Sequence, residues 1–170
     1  MTVSIPVTAE AEVLRIITRG SNAVVRANVA GITHAESLIQ PQPAGNNLNF
    51  IVGHLVATYN GALGLLGQEP VLPENEISRY NRGSDPLTDS GEAIDFNRLL
   101  TAWDQASRRF DAGLAAVSPE FLDQKAGFSP TGNPDETNRS LLATITFHQA
   151  YHAGQTALSR RLIGKPGAIK

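Results

Sequence analysis

The sequence contains no cysteine. That absence excludes a disulfide scaffold, a cysteine nucleophile, an iron–sulfur cluster and thiolate-ligated zinc. Any metal must therefore be held by histidine or carboxylate. Charge is also sparse. Only 18% of the 170 residues are Asp, Glu, Lys or Arg, with 16 acidic against 14 basic. No long run of either sign occurs, so a nucleic-acid partner is not expected. No segment alternates polar and apolar residues over a strand's length, so strands are not predicted. The opening MTVSIPVTAEAEVLR has neither a basic region nor a central apolar block. We read no signal peptide there and expect a cytoplasmic protein.

What is present is an ordinary apolar fraction, 41% without glycine, in a length that suits one domain spanning 1–170. Such a chain can bury a core without cross-links. One stretch tests that picture. Between Glu36 and Glu69 no ionisable side chain except His54 and Tyr59 occurs, and residues 48–67 are mostly aliphatic. A membrane span is the alternative. Asn49, His54, Thr58 and Asn60 all fall inside the window, however, and would be costly in lipid. A helix buried among other helices is the better reading, and no membrane partner is expected.

Helical periodicity recurs four times between Pro/Gly-rich breaks. The first helix is predicted from about Thr8 to Gly31, capped by Thr8, with Val13, Ile17, Gly20, Val24 and Ala27 in series. A short turn follows, with Thr33 and Glu36 spaced as a capping box. The second helix starts at Asn46 or Asn47 and ends near Gly67, with Val52, Leu55, Tyr59, Ala62 and Leu66 on one stripe. The third starts near Ser90 and carries Phe96, Leu99, Trp103, Ala106, Phe110, Leu114 and Val117. The fourth runs from about Thr137 to Ile163. Long connections separate helices two and three, and three and four. An all-α four-helix bundle is the predicted architecture.

The fourth helix breaks its own pattern. Its core-facing series is Leu141, Ile145, His148, His152, Gln155, Ser159 and Leu162. Two histidines and a glutamine stand where apolar residues belong. Four residues apart, His148 and His152 lie on one helix face about 6 Å apart, so their nitrogens can converge on one ion. Tyr151 is expected to point elsewhere. His54 sits midway along the least charged helix, where an unpartnered imidazole is costly. Three imidazoles from two helices would satisfy one another through a divalent cation. The alternative is a core histidine bonded to a backbone carbonyl or to Tyr59. His34, in the capped turn, is left out of the site. Gly53 and Gly154 are expected to permit close helix approach. Asn49 is read as fixing a helix end. Gln155 is a candidate for orienting a ligand, and Arg79, Tyr80 and Arg82 for binding an anionic substrate. No catalytic acid, base or nucleophile can be assigned.

Two fragments carry a resemblance. Asn46-Asn47-Leu48-Asn49-Phe50-Ile51-Val52-Gly53-His54-Leu55 looks like the second-helix signature of the DinB-like (DinB/YfiT) family. His148-Gln149-Ala150-Tyr151-His152-Ala153-Gly154-Gln155 looks like its fourth-helix signature. The resemblance implies a DinB/YfiT-like bundle with a divalent metal on His54, His148 and His152. It leaves the metal open among zinc, nickel, iron and manganese. It implies a homodimer and, from relatives, a low-molecular-weight thiol as cosubstrate. Two functional readings stand at this point, beside a third in which the bundle holds no metal. One is a metal-dependent enzyme, a thiol-dependent S-transferase or a hydrolase acting on a small molecule. The other is a non-catalytic metal-binding protein of stress response or assembly.

Overall fold

The computed structural model describes residues 7–87 and 90–169. The leader reading rests partly on residues 1–6, outside the described residues. The chain is all-α, as its periodicity predicts. Four long helices dominate: α1 (Ala9–Val29), α3 (Leu48–Leu65), α5 (Phe96–Ala116) and α7 (Asn138–Leu162). Three short helices lie between them: α2 (His34–Ser37), α4 (Glu74–Ile77) and α6 (Pro119–Asp123). Two 3-10 turns, Ser78–Tyr80 and Ser90–Glu92, complete the connection after α4. Among the described residues there is no strand, only one isolated bridge between Lys125 and Thr137.

Local chemistry sets the helix ends. Thr8 accepts from the Ala11 amide at 3.1 Å and Asn47 from the Phe50 amide at 2.9 Å. Thr33 and Glu36 form the expected capping box. After α3 the chain turns through Gly67 at φ 65°, with the Gln68 amide donating to the Leu63 carbonyl at 2.8 Å. That left-handed residue suits glycine and closes the helix. The third long helix begins later than Ser90. Asp95 caps it by accepting from the Arg98 amide, and Ser90–Glu92 forms a separate 3-10 turn.

Partner pairs reveal the packing. Arg139 of α7 reaches Glu10, Thr146 meets Thr18 and Thr156 meets Asn28, so α1 and α7 run parallel. Tyr59 packs at a tilt against Phe110 and Leu66 sits against Gly113, so α3 and α5 also run parallel. Asp111 of α5 is clamped by Arg15 and Arg19 of α1, and Asp104 by Arg26, which sets α5 antiparallel to α1. His54 meets His148 from α3 to α7. The third-helix stripe from Phe96 to Val117 is buried as predicted. No helix of the described residues is long and apolar enough to cross a membrane. α3 is instead enclosed by protein, with Leu48 to Gly53, Leu55, Val56, Tyr59, Ala62 and Leu63 buried.

The first helix departs from expectation. Val13 and Ile17 are exposed, and the buried side carries Ala11, Thr18, Ser21, Val25, Asn28 and Val29. The seam to α7 is built from small and polar groups. Asn28 donates to Thr156 at 3.0 Å, and Thr18 lies 3.4 Å from Thr146. Hydrogen bonds across the seam therefore join the burial of Ala11, Val25 and Val29, and Val13 and Ile17 face outward. Leu162, placed in the core series, is likewise exposed.

Candidate metal centre

His54 is presented from the middle of α3, and His148 and His152 from successive turns of α7. The Nε2 atom of His148 lies 3.0 Å from Nε2 of His54 and 3.0 Å from Nε2 of His152. Ligand atoms of all three lie within 4.8 Å of one another. Two nitrogens bound to one ion at ~2.0–2.1 Å can be at most about 4 Å apart, so both close pairs fit a shared cation.

The outer nitrogens decide which atoms face inward. Nδ1 of His54 donates to the Tyr80 carbonyl at 2.8 Å. A carbonyl only accepts, so the proton of neutral His54 sits on Nδ1 and the Nε2 lone pair points into the cluster. Nδ1 of His152 lies 2.7 Å from the Gln155 Oε1, which fixes the same tautomer. This is the outer-shell arrangement that orients metal-binding imidazoles. His148 can donate from Nε2 to only one neighbour, and its Nδ1 is buried without a partner. Without a cation at least one inward lone pair is left unmatched. With one, all three Nε2 atoms are satisfied. The donor set fits a divalent metal.

Burial acts in the same direction. Desolvation, then the charges of His152, His54 and Arg82, lower the His148 pKa to about 3. Desolvation and His54 lower that of His152 to about 4. Desolvation and Arg82 lower that of His54, against the Tyr80 hydrogen bond. All three imidazoles are therefore neutral at pH 7, the form that binds metal.

Tyr80 is fully buried. Its hydroxyl donates to Asn49 Oδ1 at 2.8 Å and accepts from the Ile94 amide at 2.8 Å, while Asn49 donates back to the Ile94 carbonyl at 3.0 Å. This closed circuit holds the carbonyl that orients His54. Asn49 thus ties α3 to the segment before α5, and the helix cap is Asn47. Gly53 lies directly beneath the Tyr80 ring, where a Cβ would overlap it. We expect Gly53→Ala to displace the ring and carbonyl, lowering stability by about 1–3 kcal/mol. Denaturant midpoints and metal affinity, which should fall together, check this. Gly154 differs: it is exposed, and a Cβ there would meet nothing within 4 Å.

The cluster opens into a cleft of about 800 Å³ between α3, α7 and two connections. Arg82 lines it, with Nη1 donating to the Pro130 carbonyl at 2.8 Å. Arg79 does not. Its guanidinium binds the Asp85 and Pro86 carbonyls and Glu92 within its own connection. Tyr80 contributes its carbonyl rather than its phenol. Gln155 stands behind His152 and donates to the Tyr151 hydroxyl at 3.2 Å. Tyr151, expected to point away, packs edge-on against His152 and lines the cleft. Phe128 and Pro130 also line it and were not anticipated. Both stand in a Pro/Gly-rich break, where no periodicity signals direction. His34 lies apart, capping α5 by accepting from the Phe96 amide at 3.2 Å.

The sequence profile of the DinB superfamily matches residues 18–156, most of the chain and all three histidines. The chain belongs to the DinB superfamily. A crystal structure of a conserved protein from Enterococcus faecalis has a similar fold, with a TM-score of 0.69 at 16% identity. That alignment covers 89% of this chain and 95% of the other. No curated protein matches the chain.

Proposed function

We propose that the protein is a metal-dependent enzyme whose three imidazoles hold a divalent cation with an open coordination side facing the cleft. The observation that carries this reading is the convergence of three Nε2 atoms at a cleft wall. A cation there supplies Lewis acidity and lowers the pKa of a thiol that it binds. The residues around it favour thiol transfer over hydrolysis. No carboxylate lines the cleft among the described residues, so no Asp or Glu is placed to take a proton from water. A thiol, already acidic and strongly nucleophilic, has less need of such a base. With no cysteine in the chain, that thiol is a low-molecular-weight cosubstrate. Tyr151 accepts from Gln155, which leaves its own O–H proton available at the cleft wall. Arg82 holds positive charge over the same space.

The test is metal analysis followed by cobalt substitution. One metal per chain is expected, and an added thiol should produce a sulfur-to-cobalt charge-transfer band. Turnover with a panel of thiols and electrophiles should accompany it. No band and no turnover would count against the transferase.

The second reading, a metal-binding protein that acts through assembly, has its own observation. Val13, Ile16 and Ile17 of α1 and Phe147, Tyr151 and Leu158 of α7 are 45–70% exposed. Val13, Ile16 and Ile17 lie on α1 beside the exposed Arg19, and Phe147 and Tyr151 lie on α7 beside Arg82. A second copy of the chain can cover such side chains through two-fold symmetry. We expect a homodimer by analytical ultracentrifugation, and a monomer after Ile17→Glu with Leu158→Glu. An unchanged dimer in that variant would place the interface elsewhere.

A further inference from the structure

The cleft is chemically lopsided beyond the histidines. One wall is an apolar slot made by Ala57, Gly61 and Ala62 of α3 with Leu141 and Ile145 of α7. Gly61 is a helix-interior glycine, which costs roughly 0.5–1 kcal/mol relative to alanine. No packing explains it, because a Cβ there would meet nothing within 4 Å. Its missing side chain is open cleft. At the opposite side stands Arg82, the one charged side chain among the lining residues described. Its bond to the Pro130 carbonyl joins the connection after α4 to the one before α7 and holds the guanidinium in place. A guanidinium has five N–H donors in a planar fork. No other described residue accepts from Arg82, so the fork's remaining donors are available to a ligand.

We infer that the cleft binds an amphipathic organic acid, its carboxylate on Arg82 and its apolar chain or ring in the slot beside Gly61. One cation without a phosphate-binding loop suits a single carboxylate better than a polyphosphate. Beside Gly61 the helices offer only the Thr58 and Thr144 hydroxyls among apolar side chains, too few for a sugar or a peptide backbone, which favours a hydrocarbon body. The three histidines line the same cleft. The assignment of this acid as substrate rests on the three-histidine reading. Its binding to Arg82 does not.

Calorimetric titration with 4-phenylbutyrate and 4-phenylbutanol tests the inference on metal-free and zinc-loaded protein. The acid is expected to bind at least about tenfold more tightly than the alcohol in both forms. Arg82→Gln should bring the two within about twofold. Gly61→Phe, which enters open space, should weaken both by about tenfold or more with an unchanged melting temperature. Failure of the acid to bind, an acid preference that survives Arg82→Gln, or wild-type binding in Gly61→Phe would overturn the inference. So would a preference confined to the zinc-loaded form, since the carboxylate would then sit on the metal. Loss of the three-histidine reading has a different signature: no zinc is taken up while the acid preference of the metal-free protein stands.

Discussion

Replacing His148 by alanine is expected to lower zinc affinity by at least about a hundredfold, since loss of an outer-shell partner alone costs 10–100-fold. His148 is the middle of the three, with its Nε2 at 3.0 Å from both others. Its removal leaves His54 and His152, from different helices, without the imidazole that links them. The variant should nonetheless fold. His148 is only partly buried and faces the cleft, and its Nδ1 makes no hydrogen bond. Metal-free His148→Ala is therefore expected to melt no lower than metal-free wild type at pH 5. Competition with a chromogenic chelator reads the affinity, and calorimetry reads the stability. Stoichiometric, tight zinc in the variant would remove the metal centre as described.

Acid is expected to destabilise the metal-free protein well above the range where carboxylates titrate. An unfolded imidazole titrates near 6.5, whereas His148 and His152 in the folded chain titrate near 3 and 4. Between these values the unfolded chain binds more protons than the folded one. Stability therefore rises with pH across this window and is lost as pH falls from about 6.5. His54, depressed in the same direction, adds to it. The melting temperature should drop by on the order of 5–10 °C between pH 7 and pH 4.5. His148→Ala/His152→Ala should flatten that slope. Asp111 acts in a separate window. Burial pushes its pKa up, but hydrogen bonds from Arg19 and Arg15 outweigh this and hold it below the usual carboxylate range. Its contribution is lost only below about pH 4. A wild-type profile that is flat from pH 7 to 4.5 would contradict the neutral, buried cluster. For zinc-loaded protein, metal should be retained to a lower pH than at histidines with ordinary pKa values.

Much of this was legible in the residues. Thr8, Asn47 and the Thr33–Glu36 pair announce helix starts through hydrogen bonds that span three residues. Such chemistry needs no tertiary partner. The stripe from Phe96 to Val117 was legible because α5 buries one apolar face, so periodicity and burial coincide. α1 was not. Val13 and Ile17 of its aliphatic series are exposed while Thr18 and Asn28 are buried, because these two pair with Thr146 and Thr156 across a seam that one helix cannot reveal. The start of α5 was placed six residues early because Ser90 and Asp95 are both cap-forming types, and only Asp95 accepts from an amide of the helix.

The candidate site divides in the same way. His148 and His152 declare themselves by spacing along one helix, and His54 by the cost of an imidazole in an uncharged stretch. The absence of cysteine excluded sulfur ligands and left histidine or carboxylate to hold any metal. Only the tertiary structure decided the rest. It brought residues 94 positions apart to 3.0 Å and put a backbone carbonyl behind His54. It also turned Arg79 out of the cleft and Arg82 into it. Backbone carbonyls carry no sequence signal, and loop arginines have no periodicity to fix their direction. Their roles follow from where the chain returns after α3 and α6, which is a property of the packed helices rather than of any local segment.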